Sequence, residues 1–376
     1  MEPLRLLIFS GSRADYGLIR WVYLEANRTH NVQANLLRLI NENEFQLIGP
    51  FVEADESPIQ VTPIGKCREP STSSEEKELL LSYSAVMSQT YDSLNDLKCD
   101  GLVVLGDRLE MNAAVIAASI MRKPIVHLCG GDVGEGTIDN SIRAAVTQMS
   151  SLHLVTSEDA RARVLGLGVS SSRVVNTGSL AIDGWLHRNR KSKSDIVKLL
   201  GFATEVDYGL VTIHPCPLDV TPFHQIAEAV EALLAEFTSR DLKTVVTLPN
   251  QDLGSREISD FLANVAARFP DDVRLFEKVG HDNYLSLLEH AELCAGNSSS
   301  GLYEAPLART PTLDIGIRQR GRLRGDSVVS SGWSPAEIKR GIALALGSRF
   351  EFTYPYGHGA SSGRIVKEIV RFFSER

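Results

Sequence analysis

The sequence predicts an α/β chain of two Rossmann-like domains, each a parallel sheet wrapped by helices, with a ligand cleft between them. Three observations predict it. Short apolar runs alternate with segments of helical periodicity from one end to the other. At 376 residues the chain exceeds what one hydrophobic core comfortably serves. A glycine-marked strand end also occurs in each half: Gly11-Ser12-Arg13-Ala14-Asp15-Tyr16-Gly17 and Gly296-Asn297-Ser298-Ser299-Ser300-Gly301, the latter followed by Glu304. The first amides of a helix at a sheet's carboxyl edge favour an anion, and Arg13 adds a planar donor fork suited to phosphate. Two such loops suggest a diphosphate held between two domains.

In the first half, strands are expected at Leu4–Phe9, Phe45–Gly49, Gly101–Leu105, Pro124–Leu128, Leu152–Thr156 and Val174–Asn176. Apolar positions recur at helical spacing over Glu75–Leu97 and Arg108–Ile120. After the polar stretch Arg188–Asp195 a second series begins, with strands at Tyr208–Ile213, Thr244–Leu248, Val273–Phe276, Leu293–Ala295 and Thr312–Ile315. Its helices are expected at Pro222–Thr238, Ser255–Arg268, Asn283–His290 and Leu302–Ala308. The first domain is placed at 1–183 and the second, with the nucleotide-type loop, at 184–359. The amphipathic tail, 360–376, is expected to pack back on the first domain as a helix. Ligands of open α/β sheets bind outside the carboxyl ends of the strands, so strand ends are where chemistry is sought.

Composition narrows the function classes. A hydrophobic share of 43% and a charged share of 23% are ordinary for a water-exposed globular protein. The formal charge of −8 disfavours nucleic acid or an anionic membrane as the main partner. Cys67, Cys99, Cys129, Cys216 and Cys294 are scattered and odd in number, which reads as reduced thiols and not a disulfide or zinc framework. With no membrane-length apolar run and no secretory pattern, a cytoplasmic location is expected.

Several strand ends carry ionisable residues. Gly101–Leu105 runs into Gly106-Asp107-Arg108, so Asp107 is either a helix cap or a carboxylate facing the cleft, beside an Arg108 able to pair with phosphate. The segment Val126-His127-Leu128-Cys129-Gly130-Gly131-Asp132-Val133-Gly134-Glu135-Gly136-Thr137-Ile138-Asp139 sets three acids in a glycine-rich loop. Crowded carboxylates repel, which suits acid–base work; a solvated loop with Asp139 capping helix Ser141–Met149 is the plainer alternative. Cys129 has no evident local base and reads as a small buried thiol. His214 closes the strand Val211-Thr212-Ile213, where it can face the cleft or serve structure alone. Glu304, one turn into its helix, could accept hydrogen bonds from two ribose hydroxyls, while Ser298 and Ser299 offer hydroxyls to phosphate or simply cap. In Ile315-Gly316-Ile317-Arg318-Gln319-Arg320-Gly321-Arg322, one arginine is expected to meet a ligand.

Taken together the motifs resemble the hydrolysing UDP-N-acetylglucosamine 2-epimerases of sialic acid biosynthesis. The shared pieces are G-S-R-A-D-Y-G, L-G-D-R-L-E, G-G-D-x-x-E-G-T-I-D-N-S-I-R, I-H-P, G-N-S-S-S-G-L-Y-E-A-P, I-R-Q-R-G-R-L-R-G-D-S-V and P-Y-G-H-G, in order from residue 11 to about residue 359. The resemblance implies a fold like that of GT-B glycosyltransferases and a reaction of UDP-N-acetylglucosamine with water. Its products would be N-acetylmannosamine and UDP, formed through a glycal without metal or redox cofactor. By motif it implies catalytic roles for Asp107, Asp139 and His214, and phosphate or ribose roles for Arg13, Ser298, Ser299 and Glu304. Arg108 and Arg318 follow as further nucleotide contacts, and Val279 and Tyr284 as the residues enclosing uracil. A homo-oligomer, dimer or tetramer, is expected.

The departures are as informative. Members of that family often read H-x-E-G-G-E where this chain has His127-Leu128-Cys129-Gly130-Gly131-Asp132. One carboxylate is thus Cys129 and the next is shortened to Asp132; Asp132 or Glu135 is expected to supply the missing acid. Leu18 stands where some members carry Lys, and Ala144 where a His is expected. UDP-N-acetylglucosamine remains the first expectation for substrate. The alternative is UDP-N,N′-diacetylbacillosamine, which lacks the 6-hydroxyl and carries a 4-acetamido group. A GT-B glycosyltransferase is disfavoured by the acidic glycine-rich loop and the arginine cluster, and a catalytically inactive sugar-nucleotide sensor is suggested only by Cys129.

Overall fold

The computed structural model describes residues 2–41, 44–49, 75–133, 139–202, 205–249, 254–277, 279–357 and 359–376. These form two compact units. One comprises the chain up to Asp132, Asp139–Gly184 and Tyr356–Arg376; the other contains Trp185–Pro355.

The first unit contains β1 (Leu4–Ser10), α1 (Arg13–Arg28), β2 (Val32–Asn41), β3 (Glu44–Ile48), α2 (Glu75–Asp96), β4 (Gly101–Leu105), α3 (Leu109–Ile120), β5 (Ile125–Leu128), α4 (Asp139–Met149), β6 (Leu152–Val155), α5 (Glu158–Gly166) and β7 (Val174–Asn176). Its sheet runs β3-β2-β1-β4-β5-β6-β7. The two-residue period of β1 explains the layering. Leu6 and Ile8 pack on one side with Ile19, Val22 and Tyr23 of α1, while Leu7 and Phe9 pack on the other with Val86, Met111 and Val115. Ser12 caps α1, its hydroxyl accepting from Asp15 N at 3.1 Å.

The expectation of an all-parallel sheet fails at one edge, where β3 runs antiparallel to β2. The sequence alone does not mark β2, because its apolar positions neither alternate strictly nor hold a helical period. Only two residues separate β2 from β3. So short a link cannot make a parallel crossover, and a hairpin is the only geometry left.

Helix α6 (Ala181–His187) leads into the second unit: α7 (Lys193–Leu200), β8 (Tyr208–Thr212), α8 (Phe223–Thr238), β9 (Lys243–Thr247), α9 (Ser255–Arg268), β10 (Val273–Phe276), α10 (His281–Glu289), β11 (Leu293–Gly296), α11 (Ser300–Tyr303), α12 (Ala305–Ala308), β12 (Thr312–Ile315), β13 (Val328–Ser331) and α13 (Pro335–Gly347). Its sheet is parallel throughout, in the order β10-β9-β8-β11-β12-β13. The expected helix Leu302–Ala308 is two short pieces that meet at Glu304. Pro306 cannot donate to the carbonyl four residues back, so one continuous helix is not available.

The last helix, α14 (Ser361–Ser374), returns to the first unit and buries Ile365, Val366 and Ile369 in its core. Buried Asp183 secures its start by accepting from Ser361 N at 3.0 Å, Ser362 N at 3.2 Å and the Ser362 hydroxyl. Arg364 adds two bonds to Thr177 O, at 3.0 and 2.7 Å. Among the described residues no helix is long and apolar enough to cross a membrane.

Each sheet reverses its winding once, between β1 and β4 in the first unit and between β8 and β11 in the second. The carboxyl ends at these switch points carry Gly11-Ser12 and Gly106-Asp107, and His214 and Asn297. In each sheet taken by itself, such a switch point is where open α/β sheets bind ligands.

Candidate active site

In the second unit the serine loop follows β11 directly. Ser299 stands at the N-cap of α11 but its side chain makes no cap bond, so the plain capping role fails for it. Ser298 Oγ instead accepts from Ser300 Oγ at 3.2 Å and, weakly, from Ser300 N at 3.4 Å. Ser300 in turn shares a short hydrogen bond with the Tyr284 hydroxyl. Burial pushes the Tyr284 phenol above its ordinary range, so it stays neutral and available for bonding. Val279 and Tyr284 each pack against the apolar cluster that contains Leu287 and Leu288. Asn283 Nδ2 fixes the local turn by donating to Val279 O at 2.8 Å.

Glu304 sits in the break between α11 and α12, half-buried, and not within a helix as the sequence suggested. Desolvation pushes its carboxyl up to about 7 from the ordinary 4.5. Among the described residues no other side chain pairs with it. A desolvated carboxylate of this kind gains from any ligand that brings hydroxyl donors.

His214 lies two residues beyond the end of β8 and is 9% exposed. Its backbone is gripped by the Asn297 carboxamide: His214 N donates to Oδ1 at 2.6 Å and Nδ2 donates to His214 O at 2.8 Å. Arg318 Nη1 and Gln319 Nε2 donate to Asn297 O at 3.1 and 2.8 Å. The arginine cluster therefore divides. Arg318 meets the serine loop, Arg322 bonds Gln319 Oε1 at 2.7 Å, and Arg320 is exposed.

In the first unit Asp107 is not the cap of α3; that position is Arg108, which makes no side-chain cap bond. Arg108 pairs with Glu110 at 3.4 Å. Asp107 forms a close ion pair with Arg143 of α4, a residue 5% exposed. The same guanidinium donates to Asp132 O and to Asn140 Oδ1, the latter at 3.1 Å. Asp132 Oδ1 accepts from Thr156 Oγ1 at 2.8 Å. One arginine thus ties together the ends of β4 and β5 and the start of α4. In the sequence the one local signal of Arg143 is its spacing of four from Asp139, one helical turn. Asn297 and Gln319 likewise carry no local signal of the contacts they make.

Behind this group His127 is fully buried, its Nε2 2.8 Å from Gly106 O and its Nδ1 3.3 Å from Thr147 Oγ1. Burial pushes the ring down to about 4, so it is neutral and shaped to donate to the Gly106 carbonyl. Cys129 follows on the same strand end with φ +59, in the left-handed region that a side chain rarely adopts. Asp139 lies in the described span of α4 and Arg13 opens α1; their side chains lie outside the described residues, as do Glu135, Cys67 and His358.

The fold, two units each built on a largely parallel α/β sheet, is GT-B-like. The structure of the Methanocaldococcus jannaschii UDP-GlcNAc 2-epimerase in complex with UDP-GlcNAc and UDP is similar over 98% of this chain and 99% of its own, at a TM-score of 0.77 and 17% identity. The UDP-N-acetylglucosamine 2-epimerase family model matches residues 68–370. This chain belongs to that family and is an enzyme of the UDP-sugar 2-epimerase type. It is 33% identical to the Campylobacter jejuni GDP/UDP-N,N′-diacetylbacillosamine 2-epimerase (hydrolyzing) over 340 residues, 88% of this chain and 85% of the relative. It is 29% identical to the Neisseria meningitidis UDP-N-acetylglucosamine 2-epimerase over 280 residues, 73% of this chain and 72% of the relative.

Proposed function

We propose that this enzyme hydrolyses a UDP-activated 2-acetamido sugar with inversion at carbon 2, releasing UDP and the free epimeric sugar. The observation that carries the reading is Glu304, a desolvated carboxylate beside a serine loop at the sheet's switch point, set to accept two ribose hydroxyls. Ser298, Ser299, Arg13, Arg108 and Arg318 meet the diphosphate, and Val279 and Tyr284 enclose the uracil.

The chemistry follows from the difficulty of the first step. A proton beside an acetal carbon is hard to remove unless the leaving group departs with it. Cationic side chains therefore stabilise the charge that develops on UDP, while a carboxylate takes the carbon 2 proton. The product is a glycal. Water adds at carbon 1 as carbon 2 is reprotonated on the other face. Asp107, oriented by Arg143, and Asp139, at the start of α4, act on the sugar. His214 and the loop acids Asp132 and Glu135 complete the proton-handling set, and Asp132 or Glu135 takes the place of the carboxylate absent at Cys129.

For the sugar, likeness over 88% of the chain to a relative named for N,N′-diacetylbacillosamine supports that substrate. The family description and the Neisseria relative support UDP-N-acetylglucosamine, from which inversion at carbon 2 would give N-acetylmannosamine. A panel of both sugar nucleotides, with UDP and free sugar followed by NMR, separates them. In deuterated water the product carries deuterium at carbon 2, and in oxygen-18 water the label appears at carbon 1. Retention of the original hydrogen at carbon 2 overturns the mechanism, and label on phosphate instead of sugar identifies a phosphatase route.

A further inference from the structure

Strands β8 and β11 pair in parallel register as far as Gly296 opposite Thr212. Gly296 has φ +130, and a Cβ there would lie 2.0 Å from Thr212 O, so only glycine permits this approach. Asn297 N still donates to Thr212 O at 3.2 Å. Beyond that point the backbones no longer pair, and the Asn297 side chain takes over. Its carboxamide is chemically a peptide group, and it makes both bonds to His214 that another strand residue would have made. On its other side the Asn297 carbonyl receives Arg318 and Gln319. Gln319, 1% exposed, is itself held by Arg322 at 2.7 Å and by Arg324 Nη2, which donates to Gln319 O at 3.2 Å.

We infer that Asn297 is a positioning residue that fixes His214 relative to Arg318, by extending the β8–β11 ladder one rung through its side chain while its carbonyl anchors the arginine loop. The inference rests on the UDP-sugar reading, in which His214 handles protons and Arg318 meets the leaving diphosphate. Asparagine has this reach together with a donor and an acceptor at any pH. Aspartate ionised offers two acceptors, one of which faces the His214 carbonyl. Aspartate protonated, the form that burial favours at a position 1% exposed, again offers one donor and one acceptor, as asparagine does. A misplacement of the order of 1 Å costs about 10²-fold in rate, whereas UDP contacts through Ser298, Ser299 and Glu304 are untouched.

The test compares Asn297→Asp and Asn297→Gln with the parent at pH 8 and pH 5.5, each variant being expressed as a ratio to the parent at the same pH. For Asn297→Asp, kcat is expected to fall about 10²-fold at pH 8 and to recover at least about tenfold at pH 5.5, with KM and UDP affinity near the parent's. Asn297→Gln, one methylene too long to close both bonds, is expected to stay slow at both. A readout apart from turnover is the His214 ring signal in the ¹H–¹³C NMR spectrum of the UDP-bound protein, assigned by its loss in His214→Gln. In Asn297→Asp it is expected to be displaced at pH 8 and to return to the parent position at pH 5.5. If the parent turns over no UDP-sugar yet the His214 signal behaves this way, the functional reading fails and the positioning role stands. If turnover is present, the ratio is flat with pH and the His214 signal does not move, the positioning role is overturned. Loss of UDP binding in both variants at both pH values overturns it as well, by assigning Asn297 to folding or to the nucleotide.

Discussion

Replacing Glu304 by Gln is expected to make the protein more stable and a poorer binder of UDP. Moving a carboxyl from 4.5 to about 7 corresponds to about 3 kcal/mol at pH 8, at about 1.4 kcal/mol per pH unit. The sign follows from proton binding. Between these two values the folded state holds the proton that the unfolded state has released, so stability falls as pH rises through this window. Below pH 4.5 both states are protonated and the cost is absent; above about 7 it is fully present. Glutamine has no such cost. Relative to the parent, Glu304→Gln is therefore expected to gain roughly 6–12 °C in melting temperature at pH 8, for a unit of this size, and little at pH 4. Its affinity for UDP is expected to fall by about 1.5–3 kcal/mol, the contribution of hydrogen bonds to a charged acceptor. Uridine isolates the ribose contact from phosphate ionisation. Its binding to the parent is expected to strengthen as pH rises towards 7, because hydroxyl donors favour the carboxylate, and to lose that dependence in the variant. Differential scanning fluorimetry at the two pH values and calorimetry with uridine make the measurement. A stability difference that does not change with pH would refute the desolvation argument, and unchanged uridine affinity would refute the ribose contact.

Asp107→Asn and Asp139→Asn are each expected to lower turnover by about 10²–10⁴-fold, the usual size of an acid–base contribution, while calorimetry shows UDP affinity unchanged; near-normal turnover in both would reduce them to structural roles. His153, buried on β6 in edge contact with His127, is pushed down to about 4 by burial and by His127. Stability of the first unit is therefore expected to be full above pH 6.5 and to be lost progressively as pH falls from there to 4, and His153→Leu should narrow that loss in thermal scans at pH 7 and 4.5. Asp183→Ala removes the acceptor for three donors at the start of α14 and is expected to cost about 1.5–3 kcal/mol or more, with faster proteolysis of the C-terminal helix; unaltered proteolysis would show that the helix is held by its apolar face alone.

The sequence by itself determined the elements with strong local patterns. β4, β7, β10, β12 and α9 fall on the expected residues, because a short buried strand or an amphipathic helix is written in the spacing of its own apolar residues. The candidate strand ends were legible for the same reason: glycine and a polar residue must follow where an apolar strand turns at the sheet's edge. What local spacing could not express was decided by tertiary structure. β2 became one half of an edge hairpin because its link to β3 is too short for anything else. Glu304 came to lie in a helix break because Pro306 interrupts the hydrogen-bond ladder. Asp107 found its partner in Arg143, and His214 found its brace in Asn297, 83 residues away in sequence. Such pairs depend on which strand ends the crossovers bring side by side, and that adjacency is set by the packing of the whole sheet.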